Sequence, residues 1–173
     1  MGTAPSFPFA VEPLAKHHQR AGFSSGSPPL DHYLLHQAGQ EARRHIAVTF
    51  VLVDTTHQTL AGYYTLSATS IRLGELPSDV AEKLPRYPLV PATLLGRLAI
   101  DAGYQGKRLG EFLLMDALHR SYTQSQSIAS MAVVVDAKDE GAVRFYERYG
   151  FITFPEQPHR LFLPMKTIAK LFS

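Results

Sequence analysis

The sequence predicts an α/β (α+β) fold: one domain over residues 1–173, built on a mixed sheet with helices on its faces. Three observations carry that expectation. Apolar, β-branched runs alternate with segments of helical periodicity in the order β-β-α-β-α-β-α-β-β. The first two runs are joined by a short polar turn, as in a hairpin, so the sheet is not wholly parallel. A chain of 173 residues with 45% hydrophobic content has the size of a single domain and can bury an ordinary core.

The elements follow in order. "SSGSPPL" (24–30) reads as a loop, and Leu30 to Arg44 as a helix. Leu30, Tyr33, Leu34 and Ala38 form its apolar stripe, and Asp31 lies in its first turn. "HIAVTFVLVD" (45–54) is a buried strand, "THQTL" a turn, and "AGYYTLSATSI" (61–71) the second strand of the hairpin. "LPSDVAEKL" (76–84) is a short helix, followed by the stiff, proline-rich "PRYPLVPA" and a strand at 93–101. A helix is expected over 107–122, a buried strand over 129–137, and a helix over 139–150 with Asp139 as N-cap and Gly150 at C′. "FITF" and "RLFLPM" are the last strands, and "KTIAKLF" a terminal helical turn.

Several function classes are excluded at this level. The chain has no cysteine, so disulfides, thiolate metal sites and a cysteine nucleophile are ruled out, which fits a cytoplasmic protein. "IAVTFVLV" (46–53) is too short to span a bilayer, and "MGTAPSFPFAVEP" has neither a basic n-region nor a long apolar h-region, so no signal peptide and no membrane role are expected. Net charge is +2, too mild to indicate nucleic acid by itself. His17 with His18, and His32 with His36 at i, i+4, imitate zinc spacing, but HExxH is absent and no third ligand stands nearby, so no metal is expected.

"GRLAIDAGYQGKRLG" (96–110) places a polar, glycine-rich turn between a strand and a helix. It is not a P-loop, since Asp101 stands where the first glycine belongs and Arg108 where the hydroxyl belongs, and it is not G-x-G-x-x-G. The free N–H groups of a helix N-terminus favour an anion, and Lys107 and Arg108 add positive charge. Gly106 permits a positive φ or a close backbone approach. Gly110 shares a stripe with Leu113, Leu114, Ala117, Leu118 and Ser121, where a missing side chain would let the helix lie close to the sheet. An ordinary turn with two solvated cations is the plain alternative. In the helix over 139–150, Ala142, Phe145, Tyr146 and Tyr149 share a face. Phe145 and Tyr149 are read as core, while small Ala142 leaves room for a slender ligand to reach the Tyr146 phenol.

The chain resembles the GNAT (GCN5-related) N-acetyltransferases, whose layout is strand, Q/R-x-x-G-x-G/A loop, helix, strand and then A-x-x-F-Y-x-x-x-G-F, on Gln105, Gly110 and Ala142 through Phe151. Arg108 replaces the middle glycine of the family loop, and helical φ/ψ would suit it if the helix has begun there. Asp139 stands where many relatives carry asparagine. "LDHYLLHQAGQEARRHIAVTFVLVD", "KLPRYPLVPATLLGRLAID" and "FPEQPHRLFLPMKTIAKLF" further resemble the toxin branch of that family, encoded beside ribbon-helix-helix antitoxins.

The resemblance implies acetyl-CoA as cosubstrate and direct transfer in a ternary complex to the α-amine of aminoacyl-tRNA. It assigns the pantetheine to the backbone of Leu98, Ala99 and Ile100. The rest of acetyl-CoA goes to Gln105, Gly106, Lys107, Arg108, Leu109, Gly110, Glu111, Ala142 and Phe145. The developing oxyanion goes to a backbone N–H near Ile100, and the leaving thiolate to Tyr146 as general acid. A phenol pKa near 10 lies above that of a thiol near 8.5, so a hydrogen bond to the leaving sulfur is an alternative to full proton transfer. No base is obvious. Glu41, His45 and Asp136 are weak choices, and an α-amine with a reference pKa of about 7.7–8.0 can do without one. Candidate tRNA-phosphate contacts are Arg43, Arg44, Lys83, Arg86 and Arg97. The implied partners are aminoacyl-tRNA, the antitoxin through a disordered tail, and a second copy in a homodimer. The alternatives are acetylation of a small amine or protein N-terminus, and a non-catalytic acetyl-CoA-binding module.

Overall fold

The computed structural model describes residues 7–173. Residues 1–6, part of the stretch read for an export signal, lie outside the described residues. Seven strands form one mixed sheet in the order β1-β2-β3-β4-β5-β7-β6. They are β1 (Phe9–Pro13), β2 (Val48–Asp54), β3 (Thr59–Arg72), β4 (Leu89–Ile100), β5 (Ala132–Asp136), β6 (Ile152–Phe154) and β7 (Gln157–Pro164). The helices are α1 (Pro28–His32), α2 (Ala38–Arg43), α3 (Ser78–Ala81), α4 (Leu109–Ser125), α5 (Glu140–Arg148) and α6 (Met165–Leu171). Two compact units emerge from the backbone contacts. The first holds the described residues up to Thr65 together with Leu98–Asp116, and the second holds Leu66–Arg97 with Ala117–Ser173.

In the first unit, β1 pairs antiparallel with β2, with Ala10 opposite Val53 and Pro13 opposite Phe50. This strand is absent from the sequence reading. It is a five-residue edge strand ending in proline, a residue tolerated there because an edge does not need every N–H. The helix expected over Leu30–Arg44 starts two residues earlier, with Pro28 preset for a first turn, and is not uniform. Tyr33–Gln37 forms a π-helical turn in which the Ala38 N–H donates to the Tyr33 carbonyl, five residues back. The expected stripe holds: Tyr33, Leu34 and Ala38 are buried in a core with Phe23, Val51 and Tyr63, and α2 packs on β2.

In the second unit, β4 and β5 pair in parallel, and the pairing is confined to Thr93–Leu95 against Val133–Val135. β5 and β6 each pair antiparallel with β7. Ile71, Val90, Val134, Phe154 and Phe162 belong to the core here, and α5 and α6 pack on β7. The strand expected from 93 begins at Leu89, because Pro91 still serves the sheet as an acceptor for the Met131 N–H (2.9 Å). The helix expected over 76–84 shrinks to four residues behind Pro77. Both ends of α5 are as the sequence predicts. The Asp139 carboxylate accepts the Ala142 N–H at 2.8 Å, and Gly150 follows the C-cap Tyr149 with φ +92°.

Candidate active site

The first unit holds the anion-type turn. β4 ends at Ile100, where the Asp101 N–H donates to Ala61 O (2.8 Å), so this end of the strand is fixed against β3. Gly62 lets the two strands and α4 close up. A Cβ there would come within 2.7 Å of Ala99 O, 2.8 Å of Ile100 Cδ1 and 3.0 Å of Leu113 Cδ1. Gly62 is thus a close-approach glycine, a signal that only strand pairing reveals. The expected α4 stripe is buried at Leu113, Leu114, Ala117, Leu118 and Ser121.

Three side chains fasten the turn. Asp101 accepts N–H groups from Ser24 and Gly103, both at 2.9 Å. The Gln105 amide donates to Ser25 O (3.0 Å) and Ile100 O (3.1 Å), so this side chain is already engaged by the protein. The Tyr104 hydroxyl donates to Asp54 Oδ2 (2.7 Å) and shares a hydrogen bond with Thr59 Oγ1 (2.7 Å). That hydrogen bond, the largest influence, together with those from His57 and Thr56, holds the Asp54 carboxyl down at about 2, against the penalty of its burial. The same bond to Asp54 pushes the Tyr104 phenol up.

Gly106, Lys107 and Arg108 are exposed, and Leu109 is the buried first residue of α4. Gly106 takes φ +84°, the freedom expected of it. Arg108 does not fit the sequence expectation. It precedes α4 and sits in the left-handed region at φ +59°, where a side chain costs roughly 1–2 kcal/mol relative to glycine. The turn therefore demands the glycine geometry that the family loop supplies, and arginine adopts it. Arg108→Gly is expected to raise stability by up to about 1 kcal/mol in urea unfolding, since it removes that strain but adds chain freedom to the unfolded state. The same variant loses a cation beside the turn and should bind acetyl-CoA more weakly. A drop in stability would contradict this reading.

The turn's chemistry fits a pyrophosphate. Two positive-φ positions, at 106 and 108, re-aim the backbone just before a 17-residue helix whose first N–H groups lack intrahelical acceptors. Glu111, half-buried in that first turn, opposes the added positive charge. Leu98, Ala99 and Ile100, the residues expected along the pantetheine, form the last three positions of β4.

The second unit holds Tyr146 on α5, 7% exposed. Its ring packs against Phe145 (5.2 Å) and Phe151 (5.3 Å). Its hydroxyl makes no hydrogen bond among the described residues. Burial, with a smaller contribution from the Asp136 charge, pushes the phenol well above its ordinary value of 10. The group is a neutral O–H donor throughout the physiological range. Phe145 and Tyr149, read as core, are half-buried together with Ala142, and the buried partner of Tyr146 on this helix is Val143.

The candidate tRNA contacts fall in both units. Arg43 and Arg44 are exposed at the end of α2, in the first. Lys83 and Arg86 are exposed between α3 and β4, and Arg97 is half-buried on β4, engaged within the protein, all in the second. Glu41 lies half-buried in α2, and His45 is exposed just after it, at φ +59°.

The histidine pair does have a third neighbour, which the sequence reading missed: Glu12, on β1. Hydrogen bonding decides what the cluster does. The Ala15 N–H donates to His18 Nδ1 (2.9 Å), so the proton of the neutral ring is on Nε2 and points at Glu12 Oε1, 2.5 Å away. No lone pair of His18 is left facing the cluster, and the group is a clasp between β1 and the following loop rather than a metal centre. The His32 and His36 rings lie with centroids 4.6 Å apart, tilted by 47° to each other.

Comparison with known proteins places this geometry. Residues 91–167 match the acetyltransferase (GNAT) domain family. The chain is 35% identical over 150 residues to a tRNA-acetylating toxin of Mycobacterium tuberculosis, covering 86% of this chain and 87% of that one. It is similar to the solved structure of AtaT complexed with acetyl-methionyl-tRNAfMet, with a TM-score of 0.87 and 29% identity over 95% of this chain and 99% of that one. A mutant AtaT toxin bound to the C-terminus of the antitoxin AtaR and to acetyl-CoA is similar with a TM-score of 0.81 and 26% identity, over 96% of this chain and 99% of that one.

Proposed function

The chain belongs to the GNAT acetyltransferases, in the branch of the tRNA-acetylating toxins, and on that footing we propose that it transfers the acetyl group of acetyl-CoA to the α-amine of an aminoacyl-tRNA and so blocks translation. The observation that carries the reading is Tyr146: a buried phenol, kept neutral, whose hydroxyl has no hydrogen-bond partner among the described residues of a chain this similar to such toxins.

The residues divide the work. The backbone of Leu98, Ala99 and Ile100 lies along the pantetheine, and an N–H near Ile100 stabilises the charge that develops on the carbonyl oxygen. Gly106 through Glu111 surround the pyrophosphate, with Lys107 and Arg108 supplying charge and Gln105 bracing the turn from behind. Ala142 and Phe145 border the cofactor beside Tyr146. Acetyl-CoA supplies the activated thioester. Tyr146 donates to the departing sulfur, and because its phenol is raised the role is a hydrogen bond more than complete proton transfer. A neutral fraction of the α-amine exists at pH 7, so no dedicated base is required.

Arg43, Arg44, Lys83 and Arg86 are the proposed phosphate contacts, with Arg97 placing the acceptor end. Residues 1–173 are proposed as one acetyltransferase domain. The partner that silences the protein is a ribbon-helix-helix antitoxin. The site of action is the cytoplasm, where charged tRNA is found. No helix among the described residues is long and apolar enough to cross a membrane.

Induced expression in bacterial cells tests the reading. Growth should stop while N-acetylated aminoacyl ends accumulate on the extracted tRNA, identified by mass spectrometry after mild alkaline release. Growth arrest with unmodified tRNA ends, or acetylation of free amines or protein N-termini only, would contradict it.

A further inference from the structure

Tyr104 is half-buried in a cofactor turn whose next four residues, 105–108, are exposed. It borders a cavity of about 290 Å³ lined also by Phe23, Thr59, Leu60 and Asp101, and its ring contact with Phe9 is an edge contact at 5.9 Å. Beside that cavity packing holds the turn on one side only, and polar tethers add to it. The strongest of these reaches across 50 residues of sequence to Asp54, the last residue of β2. Asp54 is 5% exposed and fully used. Its Oδ1 accepts the Thr56 and His57 N–H groups (3.0 and 3.1 Å), and its Oδ2 accepts His57 Nδ1 (2.8 Å) as well as the Tyr104 hydroxyl. The β2–β3 turn is thereby folded around the same carboxylate that holds Tyr104. Lys107 in turn stands over the Tyr104 ring, with Nζ 5.5 Å from its centroid. A hydroxyl fixed to Asp54 thus sets the ring on which the first cation of the turn rests.

We propose that Asp54 and Tyr104 form a positioning pair for acetyl-CoA: Asp54 holds the Tyr104 hydroxyl, and the Tyr104 ring holds Lys107 and the 105–110 turn in the shape that receives the pyrophosphate. This rests on the assignment of that turn to acetyl-CoA made above. Neither residue touches the reacting atoms, so both act on affinity for acetyl-CoA and leave the chemical step alone.

Tyr104→Phe keeps the ring and its cation contact and removes the hydroxyl's bonds to Asp54 and Thr59, while Asp54→Asn removes the charge that holds the hydroxyl. Calorimetric titration of acetyl-CoA into each full-length variant should show Kd raised about tenfold, as expected for losing a hydrogen bond to a charged group. KM for acetyl-CoA should rise in parallel, with kcat on charged tRNA within about twofold of wild type. The double variant should bind more tightly than the two single losses multiplied would give, because the Tyr104–Asp54 bond is common to both. A purely structural role would lower the melting temperature while leaving the Kd of the folded protein unchanged. That result, with wild type binding normally, would overturn the positioning pair and leave the function standing. A fall in kcat at unchanged Kd would overturn it equally. Failure of the wild-type protein to bind acetyl-CoA would overturn the cofactor assignment and this inference with it.

Discussion

Tyr146→Phe is expected to lower kcat for acetyl transfer by about 10²- to 10⁴-fold, the usual contribution of a positioned proton donor, with Kd for acetyl-CoA within about twofold of wild type. The substitution deletes one oxygen and leaves the ring between Phe145 and Phe151, so the fold should persist. The departing thiolate then loses its donor. The raised phenol also sets the pH behaviour. Wild-type kcat/KM should climb with pH as the acceptor amine loses its proton, at or below about 7.7–8.0, and then stay level up to pH 10, since Tyr146 keeps its proton across that range. A descending limb between pH 8 and 10 would show that a group of ordinary acidity donates to the sulfur instead. A Tyr146→Phe enzyme with unimpaired kcat would remove this residue from the mechanism.

Gly62→Ala carries the largest expected cost in stability, about 1–3 kcal/mol, the range for overfilling a packed core. The nearest clash, at 2.7 Å, is with a backbone carbonyl, Ala99 O, which cannot swing away as a side-chain terminus can. Relief requires β4 to move at Ala99 and Ile100, the strand end assigned to the pantetheine, so acetyl-CoA affinity should fall together with stability. Gly74→Ala, where an added Cβ meets nothing within 4 Å, is the matched control and should stay within about 0.5 kcal/mol of wild type. Urea unfolding of the two variants checks the contrast. Equal midpoints would mean that the strands can separate without cost.

What could be read from the sequence was local. Asp139 and Gly150 are capping residues whose function depends on three or four neighbours, and both ends of α5 are where they place them. Tyr146 and the 105–110 turn stand out through short motifs, and the roles proposed for them come from the family resemblance those motifs carry. Features that depend on partners far along the chain were not legible. Gly62 is a close-approach glycine only once β3, β4 and α4 are together, and Asp54 meets Tyr104 only when β4 has joined the hairpin in the sheet. Glu12 joins His17 and His18 in the same way. Arg108 shows a subtler limit. Its helical assignment depended on where α4 begins, and a start at Leu109 places it in the left-handed region. The strand at Phe9–Pro13 escaped because it is short, proline-ended and at the sheet edge, where alternation is weak.

The most direct test of the central claim is acetyl transfer from labelled acetyl-CoA to bulk charged tRNA, with deacylated tRNA as the control and wild type beside Tyr146→Phe. Label on charged tRNA alone, from wild type alone, is the predicted result. Label on deacylated tRNA, or none on charged tRNA from a wild-type protein that binds acetyl-CoA, would contradict the account.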